Sequence, residues 1–109
     1  SLYYYYGSHK SRIYEHEPKG NLGASMSIKK EDLKIINKKY KKIFIDLKIG
    51  DFVVHSSNVV HGSEKNKSIH DRNAFNFSIA SKKTKKLKKL QKDYQDKLKK
   101  FLKLKKLAS

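Results

Sequence analysis

The chain has 109 residues, of which 37% are hydrophobic and 34% are charged, and it carries a net charge of +17. This length suits one domain at most, with a small core. The absence of cysteine excludes disulfides and thiolate metal sites, and it fits a reducing compartment. No apolar run approaches the roughly 20 residues that cross a bilayer. No leader pattern opens the chain, so we expect a cytoplasmic protein.

The positive charge is spread unevenly along the chain. Residues 81–109 hold thirteen lysines against two aspartates, a net charge of +11, whereas residues 1–80 carry the remaining +6. We therefore predict a folded region over residues 1–80 and a Lys-rich tail over residues 81–109. The chain starts without a methionine, in what reads as the middle of a strand, which predicts that it is a piece of a longer protein.

The N-terminal third alternates short strands with turns before one helix. Four successive tyrosines after Leu2 favour a strand, and the glycine that follows them favours a turn. Leu33, Ile36 and Tyr40 fall on one helical stripe behind an acidic pair that favours a helix start. We predict a strand over 2–6, a turn over 7–10, a strand over 13–17, a loop over 22–27 and a helix within 27–39.

The centre of the chain reads as four strands. Residues 52–54 are apolar on both faces, which is typical of a strand buried between two layers. The last strand alternates strictly between an apolar face and a polar or small one. The apolar face comprises Phe75, Phe77 and Ile79, and the other comprises Arg72, Ala74, Asn76 and Ser78. We predict strands over 43–47, 52–55, 58–61 and 72–80, with a turn over 48–51 and a polar loop over 64–71 that Asn66 and Ser68 shape.

The tail changes to a helical period from Lys82 onward. Leu87, Leu90, Tyr94, Leu98 and Phe101 recur at spacings of three and four, with lysines between them. Three interpretations stay open: a solvated helix that packs its leucines on the rest of the chain or another subunit, a helix on anionic lipid, or a nonspecific contact with nucleic acid. The tail lacks the aromatic interleaving of single-strand readers.

Two residues of the central region combine metal and carboxylate chemistry. His61 closes a predicted strand just before Gly62-Ser63, where its imidazole can project into a cavity, and imidazole suits iron. Arg72 opens the next strand, and its planar guanidinium pairs with carboxylates and stays charged when partly buried. Together they suit an iron chelator that ends in a carboxylate. Position alone also allows a capping role for His61 and a solvated or ion-paired Arg72.

Two groups of motifs, in order, resemble the phytanoyl-CoA dioxygenase family. The resemblance covers roughly residues 1–80, and Tyr6 stands where the family frequently has proline. The first group is similar to the family's segment after its first metal motif, and the second to its C-terminal signature. The first group is Ser1-Leu2, Gly7-Ser8-His9-Lys10 and His16; the second is Gly50-Asp51, His55, Val60-His61-Gly62-Ser63, Asn66, Ser68 and Arg72.

This resemblance implies a mainly β protein: the C-terminal part of a double-stranded β-helix, a jelly-roll or cupin-like barrel, followed here by a C-terminal amphipathic α-helix. It implies a non-haem Fe(II)- and 2-oxoglutarate-dependent dioxygenase that uses O2 to hydroxylate a small-molecule substrate. His61 matches the distal histidine that binds the metal. Arg72 matches the arginine that binds the far carboxylate of the cosubstrate 2-oxoglutarate.

The sequence departs from the family in one essential motif. The family's other two metal ligands come from H-x-D or H-x-E, and none of the five histidines here has an acid two positions on. We therefore expect the first histidine and the carboxylate in a missing N-terminal part of the same protein. The 109 residues alone are predicted to be catalytically inactive.

Five further residues are candidates for pocket or supporting positions. Ser8 and His9 either line the pocket or fix a turn, and His55 suits a structural or supporting role beside the metal ligand. Asn76 and Ser78 lie on the polar face of the predicted last strand. The rival to an oxygenase is a small basic binding module that contacts nucleic acid or anionic membrane through its Lys-rich helix. Steep loss of polyanion binding with salt, without an effect of cosubstrate, would favour the rival.

Overall fold

The described residues form two antiparallel sheets and two helices. The computed structural model describes residues 2–19 and 26–108, and in this part of the chain no closed barrel forms. The elements in chain order are β1 (Leu2–Tyr5), a turn of 3₁₀ helix (Ser8–Lys10), β2 (His16–Pro18), β3 (Met26–Ile28), α1 (Lys30–Lys39), β4 (Lys42–Ile45), β5 (His61–Ser63) and α2 (Lys88–Ala108). They group into two compact units, Ser1–Tyr14 with Lys30–Ala74 and Glu15–Lys29 with Phe75–Ser109.

The first unit is built on a three-stranded sheet in the order β4-β1-β5. The central strand β1 pairs antiparallel with both neighbours, so that Tyr4 lies opposite Ile43 on one side and His61 on the other. Alternation along a strand sends successive side chains to opposite faces. Tyr4 and His61 therefore share one face of the sheet, and Tyr3 lies on the other.

The small core of this unit lies where the sheet meets α1. Tyr5, Ile36 and Val60 are buried, and Ile36 on α1 has no exposed surface. The Tyr5 hydroxyl donates to the Asn37 side-chain oxygen at 2.5 Å, which holds α1 against the central strand. Acids in the first turn of α1 and lysines in its last turn complement the helix dipole.

The turn after β1 is fixed by two residues. Gly7 has φ 81°, a left-handed conformation that glycine adopts without a steric penalty. The buried Ser8 hydroxyl accepts a hydrogen bond from the Val60 backbone N–H at 2.9 Å. Ser8 therefore satisfies a buried donor on the residue that leads into β5.

The face of the sheet that carries Tyr3 and Tyr5 is closely packed around Gly62. A methyl group in place of the Gly62 hydrogen would lie 2.5 Å from the Tyr3 hydroxyl oxygen and 2.7 Å from its Cζ. The Lys42 ammonium lies 4.0 Å from the centre of the Tyr3 ring. The Phe44 ring packs edge-on against the Tyr3 ring, with the two ring centres 5.8 Å apart. Tyr3 thus occupies the space that a side chain at position 62 would need.

The second unit combines the β2-β3 pair with helix α2. His16 pairs with Ile28 across the two strands, and its ring centre lies 6.3 Å from that of Tyr94 on α2. Glu15 accepts hydrogen bonds from Lys29, at 2.6 Å, and from Lys97 of α2. The hydrogen bonds from Lys29 and Lys97 lower the pKa of Glu15 to about 2. Neither α1 nor α2 is long and apolar enough to cross a membrane, and the same holds throughout the described ranges.

Several predicted elements are confirmed with shifted bounds. The strands over 2–6, 13–17 and 43–47 correspond to β1, β2 and β4, and the first helix is α1. Residues 26–28, expected in a loop and at the helix start, form β3, and residues 20–25 lie outside the described residues. Helix α2 begins at Lys88 rather than Lys82. Extending it backwards would add lysines to an N-terminal turn without acids, which the helix dipole disfavours.

The predictions of strands over 52–55 and 72–80 are wrong for the described structure. Both segments lack regular secondary structure and are exposed; Phe52 is 84% exposed and Phe77 is 83% exposed. A strand needs a hydrogen-bonded neighbour, and alternation alone does not supply one. Likewise Gly62-Ser63, predicted to end a strand, lies within β5, because pairing with β1 sets its limits.

Replacing Gly62 with alanine should destabilise the protein by about 1–3 kcal/mol, because the new methyl group would displace the Tyr3 ring. Urea unfolding followed by circular dichroism measures the change. Ser63→Ala, an exposed position on the same strand, is the matched control and should change stability little. In a Tyr3→Ala background the loss of stability caused by Gly62→Ala should largely disappear. An equal loss of stability in both backgrounds would contradict the explanation that the new methyl group collides with the Tyr3 ring.

The Glu15 carboxylate should titrate with a midpoint of about 2, well below its usual 4.5. Because the folded-state pKa is lowered, the stabilisation is present above about pH 4.5 and is lost as the pH falls through 2. Carboxyl-carbon NMR titration measures the midpoint. Lys29→Gln should move the midpoint towards 4.5, whereas Lys41→Gln, an exposed lysine in the other unit, should not. A midpoint unaffected by Lys29→Gln would refute this ion pair.

Candidate functional site

Three rings meet on one face of the three-stranded sheet. His61 lies at the start of β5, and its ring centre is 5.7 Å from that of Tyr4 on β1, with the planes 29° apart. His55 lies in the segment before β5, with its ring centre 4.7 Å from that of His61 and 5.3 Å from that of Tyr4. We call Tyr4, His55 and His61 the ring cluster.

Local backbone geometry brings the two histidines together. Tyr4 and His61 are directly opposed in the β1-β5 pair, where side chains on one face are close neighbours. Between the histidines, the Val59 N–H donates to the Ser56 carbonyl at 3.1 Å, and the Ser56 hydroxyl accepts from the Asn58 N–H at 3.3 Å. This turn folds the chain back, so that His55 faces His61.

Each imidazole uses one nitrogen to hold its ring in place. His61 Nδ1 lies 2.9 Å from the Val59 carbonyl oxygen, and His55 Nδ1 lies 3.0 Å from the Ser56 carbonyl oxygen. A carbonyl oxygen can only accept, so Nδ1–H is the donor in both contacts. In the neutral ring this leaves the Nε2 lone pair for another partner. The His61 side chain is exposed and therefore accessible to one.

The third ring of the cluster is neutral. Burial raises the pKa of the Tyr4 phenol above its usual 10.0, so at neutral pH it is not a phenolate. Tyr4 therefore contributes a packing surface beside His61 rather than a negative charge. Sequence patterns missed Tyr4, because only the long-range pairing of β1 with β5 reveals that it faces His61.

The two histidines of the ring cluster could supply only some of the ligands that an iron site needs. Two imidazoles suit Fe(II), which non-haem oxygenases commonly hold with two histidines and one carboxylate. Residues 2–19 and 26–108 contain no group of three or more His, Asp or Glu side chains that could hold a metal ion. The described chain thus does not fit a complete iron site.

Arg72 lies outside the sheet. It belongs to an exposed segment without regular secondary structure, and the predicted strand that would carry it next to β5 is not formed. The loop before it is ordered by its own side chains, since the Asn66 amide donates to the His70 carbonyl at 2.7 Å and its oxygen accepts from the Ser68 N–H at 3.1 Å. Convergence of Arg72 with His61 stays a prediction.

The remaining candidates occupy three different environments. Ser8 is buried and supports Val60, next to His61 in the chain, whereas His9 is exposed on the 3₁₀ turn. Asn76 and Ser78 are exposed in the segment that belongs to the second unit. The structure thus brings His55 to His61 and connects Ser8 to the strand that carries His61.

Comparisons with known proteins identify the family. The sequence matches the phytanoyl-CoA dioxygenase (PhyH) family over residues 1–74, a stretch that includes His55, His61 and Arg72. Comparison with curated proteins and with solved structures gives no match. The matched stretch is more than half of the chain and contains the whole ring cluster. The chain therefore belongs to the phytanoyl-CoA dioxygenase family.

Proposed function

We propose that the chain is the C-terminal part of a non-haem Fe(II)- and 2-oxoglutarate-dependent dioxygenase that hydroxylates a small-molecule substrate. In this proposal residues 1–80 belong to the double-stranded β-helix and residues 81–109 form a helical tail. One observation carries it: within the family match, His61 is exposed and its Nδ1 is held by a backbone carbonyl. Such an imidazole is oriented to bind a metal through Nε2.

His61 is the proposed metal ligand, and the other two rings position it. The stacked Tyr4 ring and the Val59 carbonyl restrict rotation of the imidazole, which lowers the entropy lost when a metal binds. His55 lies beside it with its own Nδ1 bonded, and fills the adjacent space. Fe(II), once bound, would supply oxygen activation, and these residues would hold and orient the metal.

Arg72 is the proposed anchor for 2-oxoglutarate. Its guanidinium can make two parallel hydrogen bonds to a carboxylate. This role requires the segment over 72–80 to pair as a strand, and its composition supports that: Phe75, Phe77 and Ile79 alternate with polar residues and are at least 83% exposed. Exposed apolar groups in this pattern indicate a missing partner surface. Asn76 and Ser78 would then share the polar face of that strand with Arg72, and Ser8 and His9 are proposed as supporting positions in the first unit.

The proposal assigns the remaining iron ligands to sequence upstream of this chain. The 109 residues contain no H-x-D or H-x-E motif. One or two imidazoles cannot hold iron tightly in a site built for three ligands. The proposal further places the protein in the cytoplasm, in keeping with a sequence without cysteine.

The decisive experiment compares the 109-residue chain with the protein encoded together with its upstream sequence. Under anaerobic conditions, Fe(II) and 2-oxoglutarate should give a metal-to-ligand charge-transfer band with the longer protein and none with the short chain. In the longer protein, Arg72→Ala should weaken 2-oxoglutarate binding by roughly 10- to 100-fold and leave Fe(II) binding unchanged. His61→Ala should abolish the band and the turnover of 2-oxoglutarate.

Lys65→Ala is the matched control for loss of a nearby exposed positive charge, and it should leave 2-oxoglutarate binding unchanged. An upstream sequence without H-x-D or H-x-E would contradict the proposal. So would an Arg72→Ala protein that binds 2-oxoglutarate as the unaltered protein does.

A further inference from the structure

Helix α2 joins a high positive charge to an exposed apolar stripe. Its 21 residues carry nine lysines and two aspartates, a net charge of +7. Leu90, Tyr94 and Leu98 follow one another at four-residue spacing, and the pattern continues through Phe101 and Leu102. Tyr94 meets His16, yet it remains 40% exposed, and Leu90 is 48% exposed.

The C-terminal half of the helix shows the combination most clearly. From residue 99 to residue 107 there are five lysines, no acid, and the apolar side chains of Phe101, Leu102, Leu104 and Leu107. Leu102 is 37% exposed and Leu104 is 58% exposed, whereas Leu107 lies on the lysine face, four positions after Lys103. Acids are confined to the first half, as Asp93 and Asp96. The C-terminal half of α2 is therefore complementary to a partner that has both negative charge and an apolar interior.

We infer that α2 docks on the surface of an anionic lipid bilayer, lying along the interface with Leu90, Leu98, Leu102 and Leu104 in the acyl boundary and the lysines of its opposite face among the headgroups. Amphipathic helices with low net hydrophobicity and a Lys-rich polar face bind membranes in this way. Lys105 falls within the apolar stripe, where its long stem can extend to the headgroup level. The helix would lie on the bilayer, since it is not apolar enough to span it.

Charge and apolarity together favour lipid over the two other partners. Nucleic acid would neutralise the lysines, but it offers no apolar layer for Leu90, Leu102 and Leu104. A second copy of α2 would cover the leucines, but it would bring a second charge of +7 into contact, and like charges at an interface oppose association. An anionic lipid bilayer offers negative headgroups to the lysines and an apolar layer to the leucines.

Vesicle flotation with the full chain tests the inference. Vesicles of 70% phosphatidylcholine and 30% phosphatidylserine should carry the protein, and vesicles of phosphatidylcholine alone should carry far less. The triple variant Lys99→Gln, Lys100→Gln, Lys103→Gln should lose roughly a hundredfold in partitioning, at about fivefold for each lysine near the surface. Circular dichroism checks that the helix is retained.

Two comparisons separate docking of α2 from a general charge effect. The variant Lys34→Gln, Lys38→Gln, Lys41→Gln removes the same charge outside α2 and should partition within about threefold of the unaltered chain. Leu102→Asn with Leu104→Asn keeps the charge and should lose at least about tenfold. Equal loss in both lysine variants would overturn the inference. So would unchanged binding by the leucine variant, or tighter binding of the unaltered chain to duplex DNA than to the anionic vesicles.

Discussion

The first unit depends on one strand that is hydrogen-bonded along both edges. Because β1 pairs with β4 and with β5, residues far apart in the chain are fixed opposite one another: Tyr4 lies between Ile43 and His61. The pairing is supported on the face opposite Tyr4, where Tyr5, Ile36 and Val60 are buried and Tyr3 lies against Gly62. The same register places an imidazole next to an aromatic ring at the exposed side of the sheet. The candidate site is thus a direct consequence of the strand pairing.

The sequence predicted those elements that local patterns determine. The tyrosine run, the β-branched residues near Ile43 and the stripe of α2 each gave an element of the correct type, with ends shifted by a few residues. The patterns failed where a strand depends on a distant neighbour. Residues 72–80 alternate as a strand should, but the described chain pairs them with nothing, and Phe75 and Phe77 stay exposed. The strand predicted over 52–55 is absent for the same reason.

The candidate site was predictable in part. The motif around His61 belongs to a known family signature, and the family match over residues 1–74 confirms that resemblance. The neighbours of His61 were less accessible, because Tyr4 is 57 positions away and is brought there by strand register. His55 could be assigned a supporting role from its spacing, but its contact with His61 needs the turn at Ser56–Val59. Arg72 has the residue type that a carboxylate site requires, and its placement depends on strand partners that local patterns cannot specify.

The metal-binding role proposed for His61 requires that the Val59 carbonyl fixes the ring as the Nδ1–H tautomer and leaves Nε2 with its lone pair. Long-range proton–nitrogen NMR correlation of the imidazole rings, recorded with the rings neutral, measures this directly. We expect His61 to show a protonated Nδ1 and an unprotonated Nε2, with Val59 as the hydrogen-bond partner. A His61 ring protonated at Nε2, or one that averages freely between the two tautomers, would contradict the claim and remove the physical basis for its role as a metal ligand.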